Sequence, residues 1–122
     1  MRLRVRGRRP APTMARMNAK VGWDGLDPRD RAVILGLLMP VARRHGAQVR
    51  LFGSRARGDA RPQSDIDLAL CAGSPLPADE LAALREALEA SSVPFRIDLV
   101  DHARAGPALR QAIEREGVPW TG

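Results

Sequence analysis

Gly53-Ser54-Arg55-Ala56-Arg57-Gly58-Asp59-Ala60-Arg61-Pro62-Gln63-Ser64-Asp65-Ile66-Asp67 is the stretch from which the fold of this chain can be read. It begins where an apolar run, Val49, Leu51 and Phe52, stops at a Gly-Ser pair, and it ends where two aspartates alternate with Ile66 and Leu68. That pattern predicts strand, phosphate-binding turn, strand. Side chains alternate between the two faces of a strand, so Asp65 and Asp67 share one face, about 7 Å apart along the backbone, and Ile66 and Leu68 take the other. Two carboxylates so placed can converge on one divalent cation.

Like charges this close are costly unless a cation or a proton sits between them, and hard oxygen ligands suit Mg²⁺, which is commonly held by one or two carboxylates plus substrate phosphates. The phosphates are expected on the Gly-Ser side. Gly53 lets a ligand approach the backbone, the Ser54 hydroxyl and nearby N–H groups can donate to phosphate oxygens, and a short helix starting there adds its positive end. Strand, anion cradle and metal-binding strand together predict a nucleoside triphosphate site.

N-terminal to this stretch, Asp27-Pro28-Arg29-Asp30 predicts a helix start, with Asp27 as N-cap and Pro28 in the first turn. Val33, Ile34, Leu37, Leu38 and Val41 recur at helical spacing, Pro40 is expected to kink the helix, and Gly46 to end it. Strands are predicted at 48–52, 66–71 and 93–100, a helix over 78–90 with Leu81, Leu84 and Leu88 inward, and a last helix opened by Gly106-Pro107 with Leu109, Ala112 and Ile113 inward. Within the third strand, alternation turns Asp98 away from Ile97 and Leu99 and onto the face assigned to Asp65 and Asp67.

Gly-Ser, ten residues, then Asp-x-Asp resembles the motif of the nucleotidyltransferase superfamily that includes DNA polymerase β and the aminoglycoside nucleotidyltransferases. The continuation Ser54-Arg55-Ala56-Arg57-Gly58 resembles the small single-domain members, the minimal nucleotidyltransferases (MNT). The resemblance covers most of residues 27–120 and implies an α/β (α+β) polymerase β-like core, a mixed twisted sheet with helices packed on one side and the acids at the other. It implies transfer of NMP, most readily AMP from ATP, to an acceptor hydroxyl with two Mg²⁺ ions. Asp65 and Asp67 would bridge both ions and Asp98 would complete the one nearer the acceptor and take its proton, the three forming the catalytic and metal-binding set. Gly53, Ser54, Arg57, Asp65 and Asp67 would bind the nucleotide. Relatives of this size serve as antitoxins of HEPN-domain RNase toxins and adenylylate a hydroxyl on that partner, which here would be the acceptor.

Three other readings compete. The same fold could neutralise a partner by contact alone; a homodimer could build a cleft for a small molecule, as in aminoglycoside modification; or the chain could bind nucleic acid. The net charge of +6 invites the last, but seven basic residues and no acid lie in residues 1–20, leaving 13 basic and 14 acidic residues in the remainder. With no Tyr and only two Phe, the aromatic platform on which single-stranded bases stack is also missing. Nucleic acid is therefore not an expected partner apart from the basic tail.

Residues 1–26 read as a basic, disordered extension and 27–122 as one domain. The first twenty residues could be a basic arm or an over-long start, with Met14 and Met17 as alternative initiators. The absence of a leader or of a long apolar stretch predicts a cytoplasmic protein with no membrane partner. Of the side chains left over, Arg55 and Arg61 read as phosphate ligands or solvated loop charges, Asp101 as a cap beside a loop, and Cys71 as a buried, inert thiol. Trp23 and Trp120 are expected to pack against the fold. His45 and His102 have no Cys or second His at ligand spacing, which argues against zinc.

Overall fold

Asp27 opens the first helix as its sequence predicts, its carboxylate accepting from Arg29 N at 2.8 Å. A computed structural model describes residues 21–120; the expectations for residues 1–20 lie outside the described residues. Helix α1 (Pro28–His45) ends at Gly46, whose φ of 63° lets its N–H close back on Ala42 and Arg43 carbonyls. It runs through Pro40 without interruption. Proline cannot bond the carbonyl four residues back, and that residue, Gly36, lies on the exposed side, where water can take its place.

Strand β1 (Gln48–Phe52) follows, then the one-turn helix α2 (Ser54–Arg57), β2 (Ile66–Cys71), α3 (Ala78–Glu89), β3 (Ile97–Asp101), a 3₁₀ turn (His102–Arg104), α4 (Pro107–Glu116) and the two-residue β4 (Val118–Pro119). The sheet order is β3-β2-β1-β4, with β1 antiparallel to β2 and β4, and β2 parallel to β3. The parallel pair needs a crossover, and α3 supplies it. The result is an α/β fold on a four-stranded mixed sheet.

One sheet face carries Val49, Leu51, Ile66, Leu68, Leu70 and Leu99, packed against Ile34, Leu35, Leu38 and Ala42 of α1 and Leu81, Leu84 and Leu88 of α3. Among the described residues, seventeen buried ones form this core. The opposite face holds a smaller cluster in which Ile113 of α4 sits on Phe52 and Ala69, with Cys71 and Val100 at its edge. The helices therefore do not all lie on one side: α1 and α3 do, while α4 crosses to the face that carries the acids.

Other details differ from expectation for physical reasons. The buried side of α1 is turned toward Leu35 and Ala42, leaving Val33 36 % exposed; residues 32–42 are apolar almost all round, so spacing alone does not settle the rotation. The third strand starts at Ile97, not residue 93. Val93 is buried and Phe95 packs in a loop instead, and pairing begins only where Ile66 N donates to the Arg96 carbonyl at 2.9 Å. Leu109 is 37 % exposed, because α4 buries only Ile113.

Residues 21–26, assigned from sequence to the N-terminal extension, are packed into the fold. Asp24 is 1 % exposed; its carboxylate accepts from Trp120 Nε1 at 2.8 Å and Leu26 N at 3.1 Å and pairs with Arg31 at 3.5 Å. Trp120 is fully buried as expected, but Trp23 is 55 % exposed. No helix among the described residues is long and apolar enough to cross a membrane.

Candidate active site

Gly53 sits at the end of β1 with φ of 76°, a conformation that side chains disfavour. A Cβ built there would overlap the Asp67 carboxylate, so glycine is required on two counts. The register explains the approach: Phe52 pairs with Asp67 across β1 and β2, which brings the following residue against the acid. The Gly53 and Ser54 carbonyls then accept from Arg57, Gly58 and Asp59 N–H groups at 3.0–3.1 Å, closing the turn around α2.

On the other flank of β2, Asp67 pairs in parallel register with Asp98, and Ile66 with Ile97. Asp67 and Asp98 therefore share one sheet face, opposite Ile66, Leu68 and Leu99. Asp65 precedes the strand by one residue and is close to half exposed, with Arg96 at 3.9 Å. Burial first, and then the charges of Asp98 and Asp65, push the Asp67 carboxyl up to about 6, against the opposing pull of the Arg57 and Arg55 cations. A carboxylate with two acidic neighbours and a partly dry environment is poised to lose its proton to a cation.

Among the described residues no three His, Cys, Asp or Glu side chains close into a ready-made cage. The donor set nonetheless fits Mg²⁺, which keeps water and substrate phosphate in its shell and rarely takes an all-protein site.

The arginines separate sharply. Arg57 is exposed at the end of α2, where it pairs with Asp59 at 3.2 Å and Glu116 of α4 at 3.1 Å. Arg61 is exposed in the loop. Arg55, which the sequence allows as a phosphate ligand or a solvated charge, is neither: it is 2 % exposed and its guanidinium is spent on backbone carbonyls. Burial pushes its pKa below the ordinary value, against the pull of Asp24, Asp65 and Asp67.

Away from the acids, Asp101 borders a loop as expected but is also buried, accepting from Leu76 N at 2.8 Å and Ala103 N at 3.0 Å and pairing with Arg104. His45 and His102 each hold a glutamate at 2.9 Å, Glu80 and Glu114. Cys71 is half-buried, and burial pushes its thiol up, away from reactivity. Sequence reasoning missed the Asp24–Trp120 bond, which joins residues 96 positions apart. No local spacing could signal it.

The family model for the nucleotidyltransferase domain of polymerase beta matches residues 44–119. The Haemophilus influenzae protein named "Probable protein adenylyltransferase MntA" is 39 % identical over 64 residues, covering 52 % of this chain and 56 % of that protein. The chain thus spans little more than half the length of that relative. A solved toxin-antitoxin complex with AMP-PNP contains a chain 30 % identical, with a TM-score of 0.56 over 71 % of this chain and 72 % of that one. A solved minimal nucleotidyltransferase is 37 % identical, with a TM-score of 0.56 over 80 % and 94 % of the two chains. The tri-AMPylated HEPN toxin of Shewanella oneidensis with its MNT antitoxin is similar at 26 % identity and a TM-score of 0.52, over 75 % of this chain and 72 % of that one.

Proposed function

The chain belongs to the polymerase β nucleotidyltransferase family, and we propose that it moves AMP from ATP to a hydroxyl on a HEPN-domain partner protein, as the antitoxin of that pair. The observation that carries this reading is the register of Asp67 against Asp98, with Gly53 on the Asp67 carboxylate. It brings the Gly53-Ser54 turn and the acids to one end of the sheet. The identity to MntA and the similarity to chains crystallised with AMP-PNP or with a HEPN toxin support the choice of nucleotide and acceptor.

In this reading the Gly53-Ser54 turn holds the triphosphate by backbone N–H groups and the Ser54 hydroxyl, and Arg57 turns from Glu116 and Asp59 to the phosphate oxygens. Asp65, Asp67 and Asp98 would hold Mg²⁺, which when bound would supply charge neutralisation for the attacking and leaving oxygens. Asp98, the more exposed of the registered pair, takes the acceptor proton. The acceptor oxygen forms a bond to the α-phosphorus as the bond from that phosphorus to the β-phosphate oxygen breaks, and pyrophosphate leaves. Residues 27–122, extended by the packed segment 21–26, form the catalytic unit, working in the cytoplasm where ATP is available.

The test is transfer from α-labelled ATP with Mg²⁺ to a purified HEPN partner, comparing the intact chain with Asp65→Asn/Asp67→Asn. Label on the partner with the intact acids only is the expected result. Absence of label, with the toxin still neutralised by both proteins, would overturn the enzymatic reading and leave a binding antitoxin.

A further inference from the structure

The proposed transfer requires the phosphate turn and Asp65 to stand at a set separation, and one buried side chain spans that gap. Arg55 lies on the inner side of α2. Its Nε and Nη2 donate to the Ser64 carbonyl at 3.3 and 2.8 Å, and Nη2 also to the Pro62 carbonyl at 3.3 Å. Its Nη1 donates to the Asp24 and Gly25 carbonyls at 3.2 Å each. A guanidinium has five N–H groups, and these are five bonds. The ring of Phe95 lies 4.8 Å from its central carbon and holds it from the side.

We infer that Arg55 is a positioning residue that ties Asp65 to the remote segment Asp24–Gly25, so that Gly25, which touches no acid of the site, helps set the affinity for Mg²⁺ and nucleotide. Asp65 follows Ser64 directly, so whatever fixes the Ser64 carbonyl fixes the acid. The same side chain follows Ser54, so the phosphate turn and the acid are braced against a common group. With every donor engaged on carbonyls, none is left for phosphate, which separates this role from that of Arg57. Lysine could not replace it: three donors on one nitrogen cannot reach four carbonyls on two segments.

The inference rests on the proposed reaction for its consequence but not for its geometry, and the experiment keeps the two apart. Arg55→Lys and Gly25→Ala are compared with the intact chain and with Leu81→Ala, a core change on α3. At Gly25, where φ is 79°, a Cβ would press on Arg55 Nη1 at 2.8 Å. Binding of a non-hydrolysable ATP analogue with Mg²⁺ is measured by calorimetry below the melting temperature of each variant, and amide exchange is followed over residues 60–66. Both Arg55→Lys and Gly25→Ala should raise the Mg²⁺ half-saturation about tenfold, a loss of about 1.4 kcal/mol, and speed exchange in that loop; Leu81→Ala should do neither. If Arg55→Lys does not fold, Gly25→Ala carries the comparison. Unchanged affinity and exchange in folded Gly25→Ala, or equal changes in Leu81→Ala, would overturn the inference. If the intact chain binds no nucleotide, the proposed function fails, while faster loop exchange in Gly25→Ala alone would still uphold the brace.

Discussion

Asp67 and Asp98 stand opposite one another in the register of two parallel strands, and the Asp67 carboxylate occupies the space that a side chain at Gly53 would need. Two like charges held this way, one of them half-buried, oppose folding.

Asp67→Asn keeps the shape that Gly53 packs against and removes the repulsion. The empty variant should therefore melt higher than the intact chain at pH 8, by on the order of 1 kcal/mol after allowance for solvent screening, or a few degrees for a domain of this size. Transfer activity should be lost. Thermal melts without Mg²⁺, run beside the labelling assay, check both halves.

The Asp67 carboxyl titrates at about 6 in the fold against 3.8 as the ordinary value. Between those values the folded chain binds more protons than the unfolded one, so this group's contribution is fully present below about pH 3.8 and is lost as pH rises through about 6. Urea melts across that window should show the intact chain losing stability relative to Asp67→Asn as pH increases. Added Mg²⁺ competes with the proton, so its stabilising effect should be larger at pH 7.5 than at pH 5.

Gly53→Ala should cost both fold and site. The methyl meets the Asp67 carboxylate and the backbone holds φ at 76°. A loss of about 1–3 kcal/mol is expected from the strained conformation, with nucleotide binding weakened further than in any variant of similar stability. Denaturant melts and calorimetry give the comparison.

Arg57→Ala should separate binding from stability. Its pairs with Asp59 and Glu116 are exposed, and such pairs contribute about 0–1 kcal/mol. The melting temperature should hardly move, while the KM for ATP should rise about tenfold, the equivalent of one charge-assisted bond.

Trp120→Phe removes the bond that Trp120 Nε1 makes to the buried Asp24 carboxylate. Arg31 and Leu26 N still face that carboxylate, so the cost should fall at the lower end of the roughly 1–3 kcal/mol of an unsatisfied buried acceptor. Equilibrium unfolding would measure it.

Local residue chemistry specifies the elements around the site. Caps and turns are local chemistry, and Asp27, Pro28 and Gly46 delimit α1 where their residue types say they should. Strand alternation is equally local, which is why it assigns Asp67 and Asp98 to one face without reference to their register. Other features depend on partners distant in the chain. The register of Asp67 on Asp98, the rotation of α1 toward Leu35 and Ala42, the passage of α4 to the acid face and the burial of Asp24 by Trp120 each depend on packing between separate elements. Arg55 shows the difference most clearly. Its place in a turn of exposed, polar residues reads as a surface charge, and the carbonyls that bury it come from residues 24, 25, 62 and 64, gathered only when the chain has folded.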